Sequence, residues 1–249
     1  MKKSLFLTTL GLFCASVLCA ADGDAKTDSK PDTKAEVKAA AKKLGDKANY
    51  SWTSTPKTEG GGAGGNFRGG PTQGQTEKGG ITYVKTTFGE RTIEAAMKGE
   101  KVAIKGEESW ESAADLEGNR QFMARRYQNY KAPAAEASDL ADKATSLKLA
   151  DGVYAGDMTE EAVKALMNFG GRRPGGAGGN NAGPNITGAK GSVKFWLKEG
   201  DLTKYEFNVQ GKMTGRDDQE ITINRTTTVE LKDVGTTKLT VPEDAKKKL

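Results

Sequence analysis

Histidine is absent from this chain of 249 residues, and both of its cysteines, Cys14 and Cys19, lie near the amino terminus. A Ser-His-Asp site, a Cys-His site and a zinc site built on histidine are therefore excluded. If the amino-terminal segment is removed, no thiol remains for a disulfide or for a metal. We accordingly predict no metal site and no cofactor.

Long apolar runs are also scarce. The run over residues 5–18 is shorter than the roughly 20 residues that a membrane-spanning helix needs. A pair of lysines precedes it and small residues follow it, which are the parts of a secretory signal. Leu18, and not a small residue, precedes Cys19, which argues against a lipoprotein signal. We therefore expect residues 1–20 to be cleaved, and the mature chain to be periplasmic or secreted without a transmembrane segment.

Charge of one sign does not dominate, since the formal net charge is +5. Such a mild excess favours contact with anionic surfaces but does not indicate a specific nucleic-acid partner. A glycosidase-like pair among the 33 acidic residues would be the remaining route to catalysis, yet no spacing marks any pair. We expect no catalytic residues, and an enzyme acting on envelope polymers is the least favoured hypothesis.

What the sequence does contain is a long stretch in which apolar and polar residues alternate, from Ser192 to Val241. A period of two residues is typical of strands with one buried face. The stretch predicts a meander of four antiparallel strands, the last of which carries Leu239 and Val241. The third strand keeps one parity through Ile221, Ile223, Arg225, Thr227, Val229 and Leu231. Its apolar face must be covered by other parts of the chain.

Helical spacing of apolar residues marks the candidates for this cover. The predicted helices are 34–44, 112–130, 133–147 and 160–169. Shorter strands are predicted at 48–53, 81–88, 92–97 and 101–105, together with a hairpin around Asp151-Gly152. The predicted fold class is therefore α+β, with a large curved antiparallel sheet, built of meanders, that a few helices cover.

Two glycine-rich segments, 59–80 and 170–191, interrupt these elements. They hold few apolar side chains, so we predict flexible insertions within a single domain that spans 34–249. The polar residues 21–33 are predicted to be a disordered leader. The insertions carry the arginines Arg68, Arg172 and Arg173, which permit a contact with a polyanion or with an envelope surface.

The order of these elements resembles a known fold. An amino-terminal helix precedes a strand that carries Tyr50 and Trp52, and the apolar strand within 195–202 turns at Gly200 and returns through Tyr205. Together with the intervening helices, this resembles the periplasmic lipoprotein-carrier fold of LolA and of the related LppX- and LprG-like proteins. The resemblance implies a lipid or a lipidated partner, and no functional residue of that family matches a residue of this chain.

We therefore expect an exported, non-catalytic protein that holds an acyl chain or a lipidated partner in an apolar space between the sheet and the helices. The residues predicted to line that space are Phe195, Tyr205, Phe207, Ile221 and Ile223. The alternative is that these side chains form an ordinary core, in a structural or interaction module of the envelope without a ligand cavity.

Amino-terminal sequencing of the exported protein should begin near Ala21 or Asp22, where the apolar run gives way to small and then acidic residues. Mass spectrometry of the same protein should find no attached lipid. Retention of Met1, or a diacylglyceryl group on Cys19, would contradict the predicted signal peptide.

Overall fold

The computed structural model describes residues 32–59, 70–167, 185–214 and 220–249, and the contacts within residues 32–249 form one compact unit. The helices are α1 (Thr33–Gly45), α2 (Gly118–Gln128), α3 (Pro133–Lys143), α4 (Glu160–Met167) and the short α5 (Glu243–Lys246). The strands are β1 (Asn49–Thr58), β2 (Thr72–Glu77), β3 (Thr82–Phe88), β4 (Arg91–Lys98), β5 (Lys101–Lys105), β6 (Trp110–Ser112), β7 (Lys148–Ala150), β8 (Val153–Asp157), β9 (Ile186–Lys198), β10 (Asp201–Thr214) and β11 (Glu220–Lys232).

These strands pair in one antiparallel sheet in the order β6-β5-β4-β3-β2-β1-β11-β10-β9-β8-β7. From β1 the chain zigzags outward to the β6 edge, and from the β7 edge it returns inward to β11. Strand β11 then pairs with β1, from Ser51 opposite Lys232 to Thr58 opposite Arg225. Between the two edges the chain has to cross the sheet, and α2 and α3 lie in that crossing. The predicted α+β class, with a large antiparallel sheet built of meanders, is confirmed.

One face of the sheet, called the A face here, carries the alternating apolar side chains. Trp52, Phe195, Tyr205 and Val229 belong to it and are buried. Buried residues from α1, α3 and α4 join them in one core cluster, as expected for amphipathic helices that lay their apolar stripes on a sheet. The predicted helical cover is therefore present on this face.

Helix α4 lies close to the sheet because two glycines face it. A Cβ on Gly191 would lie 2.7 Å from Val163 Cγ2, and one on Gly211 would lie 2.9 Å from Met167 Cε. Side chains at these two positions would push the helix away from the sheet. The glycines of β9 and β10 thus allow α4 to pack over these two strands.

The opposite face, called the B face, is covered at β3–β6 by the carboxyl-terminal segment. Val241 and Ala245 are buried there against Tyr83, Ala96 and Trp110. The fourth strand predicted around Val241 is therefore wrong. Its place beside β11 is occupied by β1, so the segment finds no free strand edge there and packs on the face of the sheet instead.

The predicted flexible insertions are wrong where they enter the sheet. Thr72–Glu77, within the predicted segment 59–80, is strand β2, and residues 186–191, within the predicted segment 170–191, belong to β9. The sequence of β2 is polar, yet it has a strand partner on each side. Two cross-strand hydroxyl pairs add to this pairing, with Oγ1 atoms 3.0 and 3.2 Å apart. Neighbouring strands, rather than apolar burial of its own, therefore order this segment.

The remaining parts of the two insertions, 60–69 and 168–184, lie outside the described residues, as do residues 21–31 of the predicted leader. The same holds for the arginines predicted to contact a polyanion or an envelope surface, Arg68, Arg172 and Arg173. That contact stays a prediction.

Gly74 in β2 lies under the indole of Trp52, since a Cβ there would be 2.0 Å from the ring. Gly74→Ala should therefore displace the ring and lower the free energy of unfolding by about 1–3 kcal/mol, as overpacking does. Urea denaturation measures the change. Gln73→Ala, an exposed neighbour, is the matched control and should change stability by less than about 0.5 kcal/mol. A Gly74→Ala variant as stable as the parent would show that Trp52 does not pack on β2.

Candidate ligand-binding face

The helical cover of the A face ends between β10 and β11. On β10 the A-face residues Phe207, Val209 and Gly211 are buried, whereas their partners on β11 are only half-buried. Four half-buried residues in a row make what we call the β11 strip: Ile221, Ile223, Arg225 and Thr227. Two of these four residues, Ile221 and Ile223, are apolar, and the strip is the candidate site.

The positions of α4 and α2 leave this strip open. Helix α4 contacts β9 and β10, while α2 contacts β4 and β5, so that β11 and β1 lie between the two helices. On β1 the A-face residues Ser54 and Pro56 are half-buried as well. The open floor is therefore at least two strands wide, with apolar side chains toward β10 and smaller, more polar ones toward β2.

The five predicted lining residues share the A face but lie in two environments. Phe195 and Tyr205 have no exposed surface and their ring centroids are 6.3 Å apart, while Phe207 is 5% exposed. These three belong to the packed core. Ile221 and Ile223 lie on the β11 strip, and Ile223 packs against the edge of the core. The two isoleucines therefore border open space, which the aromatic residues do not.

Two surface depressions lie elsewhere on the described part of the chain. One, of about 200 Å³, lies at the end of α1 beside Leu44 and Leu202. The other, of about 270 Å³, lies against the sheet beside Gln75 and Lys85. Both are smaller than the roughly 300–1,000 Å³ of typical small-molecule sites.

Among the residues that the structure describes, no three acidic side chains come together in a way that could bind a metal ion. In the same ranges, no helix combines the length and the apolar character needed to cross a membrane. The β11 strip therefore offers two aliphatic side chains, one hydroxyl and one guanidinium.

A buried carboxylate on α3 ties the helical cover to the sheet. Glu136 accepts a hydrogen bond from the Tyr205 hydroxyl at 2.5 Å. Burial raises the pKa of Glu136, and the hydrogen bond from Tyr205 lowers it in part. Burial, followed by the charge of Glu136, raises the pKa of Tyr205 well above its usual value. The phenol therefore stays protonated and can keep donating to the carboxylate.

An aromatic pair closes one end of the strip. The ring of Tyr130 stacks on Trp52, with centroids 5.9 Å apart and planes inclined by 17°. Trp52 and Ser54 are successive A-face positions on β1, so the stacked rings stand next to the open floor. Burial raises the pKa of Tyr130 well above its usual value, and this phenol is neutral at physiological pH.

Arg225 is the charged member of the strip. The other charged residues between positions 204 and 214 of β10 and within β11 occupy B-face positions. Burial, followed by the positive charge of Arg126 near the end of α2, lowers the pKa of Arg225 to about 10, while the charge of Glu136 acts in the opposite direction. Arg225 therefore remains cationic at neutral pH.

The residue patterns alone do not single out Glu136 or Arg225. Two signals were available, because Glu136 stands four residues before Leu140 on the stripe of α3, and Arg225 interrupts the apolar parity of β11. Both indicate a polar side chain on a buried face. Helical periodicity over the predicted helix 112–130 does place Tyr130 on the apolar face with Leu116 and Tyr127, although α2 ends at Gln128, two residues before it.

Comparison with known proteins finds no matching family model and no matching curated protein. Among solved structures, the lipoprotein LppX of Mycobacterium tuberculosis is 11% identical with a TM-score of 0.45, over 86% of this chain and 100% of its own. LprF of Mycobacterium bovis is 9% identical with a TM-score of 0.44, over 87% and 98%. A LolA-superfamily protein of Nitrosomonas europaea is 10% identical with a TM-score of 0.32, over 84% and 96%. The resemblance to LolA and LppX noted in the sequence is found again here, and at these values it assigns no ligand to the chain.

Glu136→Gln keeps an acceptor for Tyr205 but removes the buried charge. Because the folded-state pKa of Glu136 is raised, its carboxyl favours folding below about 4.5 and loses that contribution as the pH rises through the folded pKa. Relative to the parent, the variant should therefore become progressively more stable as the pH rises from about 4.5 toward neutrality. Denaturant unfolding across this range measures the difference.

Glu161→Gln, on the exposed side of α4, makes the same change in net charge and serves as the control. If the difference between Glu136→Gln and the parent did not vary with pH, the carboxylate of Glu136 would have to be hydrated rather than buried.

Proposed function

We propose that this protein is an exported, non-catalytic carrier that binds an acyl chain, free or attached to a partner, along the β11 strip. The observation that carries the proposal is the half-buried apolar row at Ile221 and Ile223, on a sheet face whose neighbouring strand is closed by helices. Covering exposed aliphatic surface is favourable by about 25 cal/mol per Å². An apolar ligand would gain that free energy here.

The dimensions of the strip suit an extended chain. Alternate residues on one face of a strand lie about 7 Å apart, so the positions from Ile221 to Thr227 form a row about 20 Å long. Helices α4 and α2 stand on either side of the row. A row of this length would accommodate an extended acyl chain.

The five predicted lining residues would then have different tasks. Ile221 and Ile223 would contact the chain, and Phe207, which lies opposite Thr227, would border it. Phe195 and Tyr205 have no exposed surface, so their task would be to keep the neighbouring part of the A face rigid.

The packing of those aromatic residues also favours a second candidate, an envelope structural or interaction module without a ligand. In that case the β11 strip would be an ordinary, partly exposed sheet face, as many proteins have. The two candidates differ in whether an acyl chain binds.

A neutral fluorescent acyl probe should bind the purified protein saturably and be displaced by unlabelled chains. Ile223→Ser removes part of the apolar floor and should weaken probe binding about fivefold, corresponding to about 1 kcal/mol of lost apolar contact. Thr222→Ser is the matched control, because its exposed side chain belongs to the B face of the same strand. It should leave the affinity unchanged.

Circular dichroism and unfolding midpoints establish that both variants are folded. Absence of saturable binding to the parent would rule out the carrier and leave the structural module standing. Equal weakening by Ile223→Ser and Thr222→Ser would mean that the probe binds elsewhere on the protein.

A further inference from the structure

An aromatic residue and an arginine meet where the β3–β4 hairpin turns. Phe88, at the end of β3, lies directly opposite Arg91, at the start of β4. Phe88 has the parity of the A-face residue Val84, so both side chains of this pair belong to the A face. Residues opposite each other on antiparallel strands have Cβ atoms about 4.5–5.5 Å apart. Arg91 therefore stands beside the ring of Phe88.

A second arginine approaches the same ring from the helical cover. Helix α2 packs on β4 and β5, and the guanidinium carbon of Arg126, near the end of this helix, lies 6.0 Å from the ring centroid of Phe88. Arg91 and Arg126 are exposed, whereas Phe88 is half-buried. These three residues, called the hairpin patch here, thus combine one aromatic ring with two hydrated guanidiniums.

The surroundings of the hairpin patch carry an excess of positive charge. Residues 86–92 and 124–130, which form the end of the hairpin and the end of α2, contain three arginines and one acid, Glu90. The third arginine, Arg125, donates a hydrogen bond to the neutral Gln121 at 3.2 Å. The ion pairs that the structure shows at the start of α2 and just after its end join other residues. An anionic partner would therefore complement this surface.

The open floor of the A face leads to the hairpin patch. One cross-strand row runs from Ser54 on β1 through Thr72 on β2 to Thr86 on β3. One A-face step farther in the same direction come the half-buried Pro56 on β1 and Phe88 on β3. Strands β1 and β3 are two spacings apart, or about 10 Å. The patch therefore borders the floor that continues onto the β11 strip.

We propose that the hairpin patch docks on the surface of an anionic lipid bilayer. Arginines near such a surface are attracted to its acidic headgroups, and a guanidinium binds a phosphate through two parallel hydrogen bonds. The ring of Phe88 supplies an apolar contact at the level of the headgroups. An acidic protein would match the arginines alone, whereas a bilayer also presents an apolar medium to the open floor beside them. This docking goes beyond the proposed function and does not require that an acyl chain binds.

Co-sedimentation of the purified protein with lipid vesicles tests the docking. The parent should bind vesicles made of about one third phosphatidylglycerol in phosphatidylcholine, and should bind phosphatidylcholine alone at least about tenfold more weakly. Binding to the anionic vesicles should fall as salt is added. Arg91→Gln/Arg126→Gln should weaken it about 25-fold, at about fivefold for each arginine.

Lys98→Gln/Lys101→Gln is the matched control. These exposed lysines lie opposite each other in the β4–β5 hairpin, at the other end of β4 and on the B face. The control makes the same change in net charge and should keep the affinity for anionic vesicles within about twofold of the parent. Circular dichroism establishes that the variants are folded. Should the double arginine variant not fold, Arg91→Gln against Lys98→Gln carries the same comparison, with an expected loss of about fivefold.

The outcomes separate docking from acyl binding. Absence of binding to anionic vesicles, or an equal loss in the two double variants, would overturn the hairpin patch as a docking surface. Without vesicles, the double arginine variant should bind the neutral acyl probe as tightly as the parent does. Vesicle binding that depends on the patch, in a protein that does not bind the probe, would support docking and remove the carrier. Probe binding without vesicle binding would do the reverse.

Discussion

Pairing of β1 with β11 is the interaction on which the rest of this structure depends. Two meanders from distant parts of the chain become one sheet because residues 51–58 lie opposite residues 225–232. With that pair in the middle, the meanders end at opposite edges, β6 and β7, and the link between them has to cross the sheet. The same pair occupies the free edge of β11, which turns the carboxyl-terminal segment onto the B face. The helical cover and the B-face cover therefore follow from one strand pairing.

The width of the sheet explains why part of the A face stays open. A helix with its side chains is about 10 Å across and strands are about 4.8 Å apart, so one helix covers about two strands. Helix α4 covers β9 and β10, and α2 contacts β4 and β5. Four strands lie between these pairs in the order of the sheet. The tie from Glu136 to Tyr205 and the stack of Tyr130 on Trp52 close this interval at one end, and the β11 strip lies beyond that closure.

Sequence patterns predicted those strands and helices whose own apolar side chains bury one face of the element. The parity of Ile221 and Ile223 correctly gives their face of the sheet, because a strand repeats every two residues. Strand β2 escaped prediction, since its order comes from its two neighbours and from the indole that covers Gly74. The exposure of the β11 strip escaped as well, because it depends on where α2 and α4 lie. Those positions are set by close approach at glycines and by the crossing of the sheet, which no local period encodes.

Side-chain size across neighbouring strands decides where the A face is closed and where it is open. In one cross-strand row, Trp52 lies between Leu231 and Gly74, and its indole fills the space above the glycine. In the next row along β1, Ser54 stands where Trp52 stood, between Val229 and Thr72.

A serine cannot reach across a neighbouring strand, so Ser54 itself is only half-buried, while Val229 beside it on β11 is still buried. Two A-face steps farther along β11 from Val229 comes the half-buried Arg225, the charged residue of this part of the face. The change from tryptophan to serine at adjacent A-face positions of β1 therefore marks the step from a fully buried to a half-buried side chain on this strand.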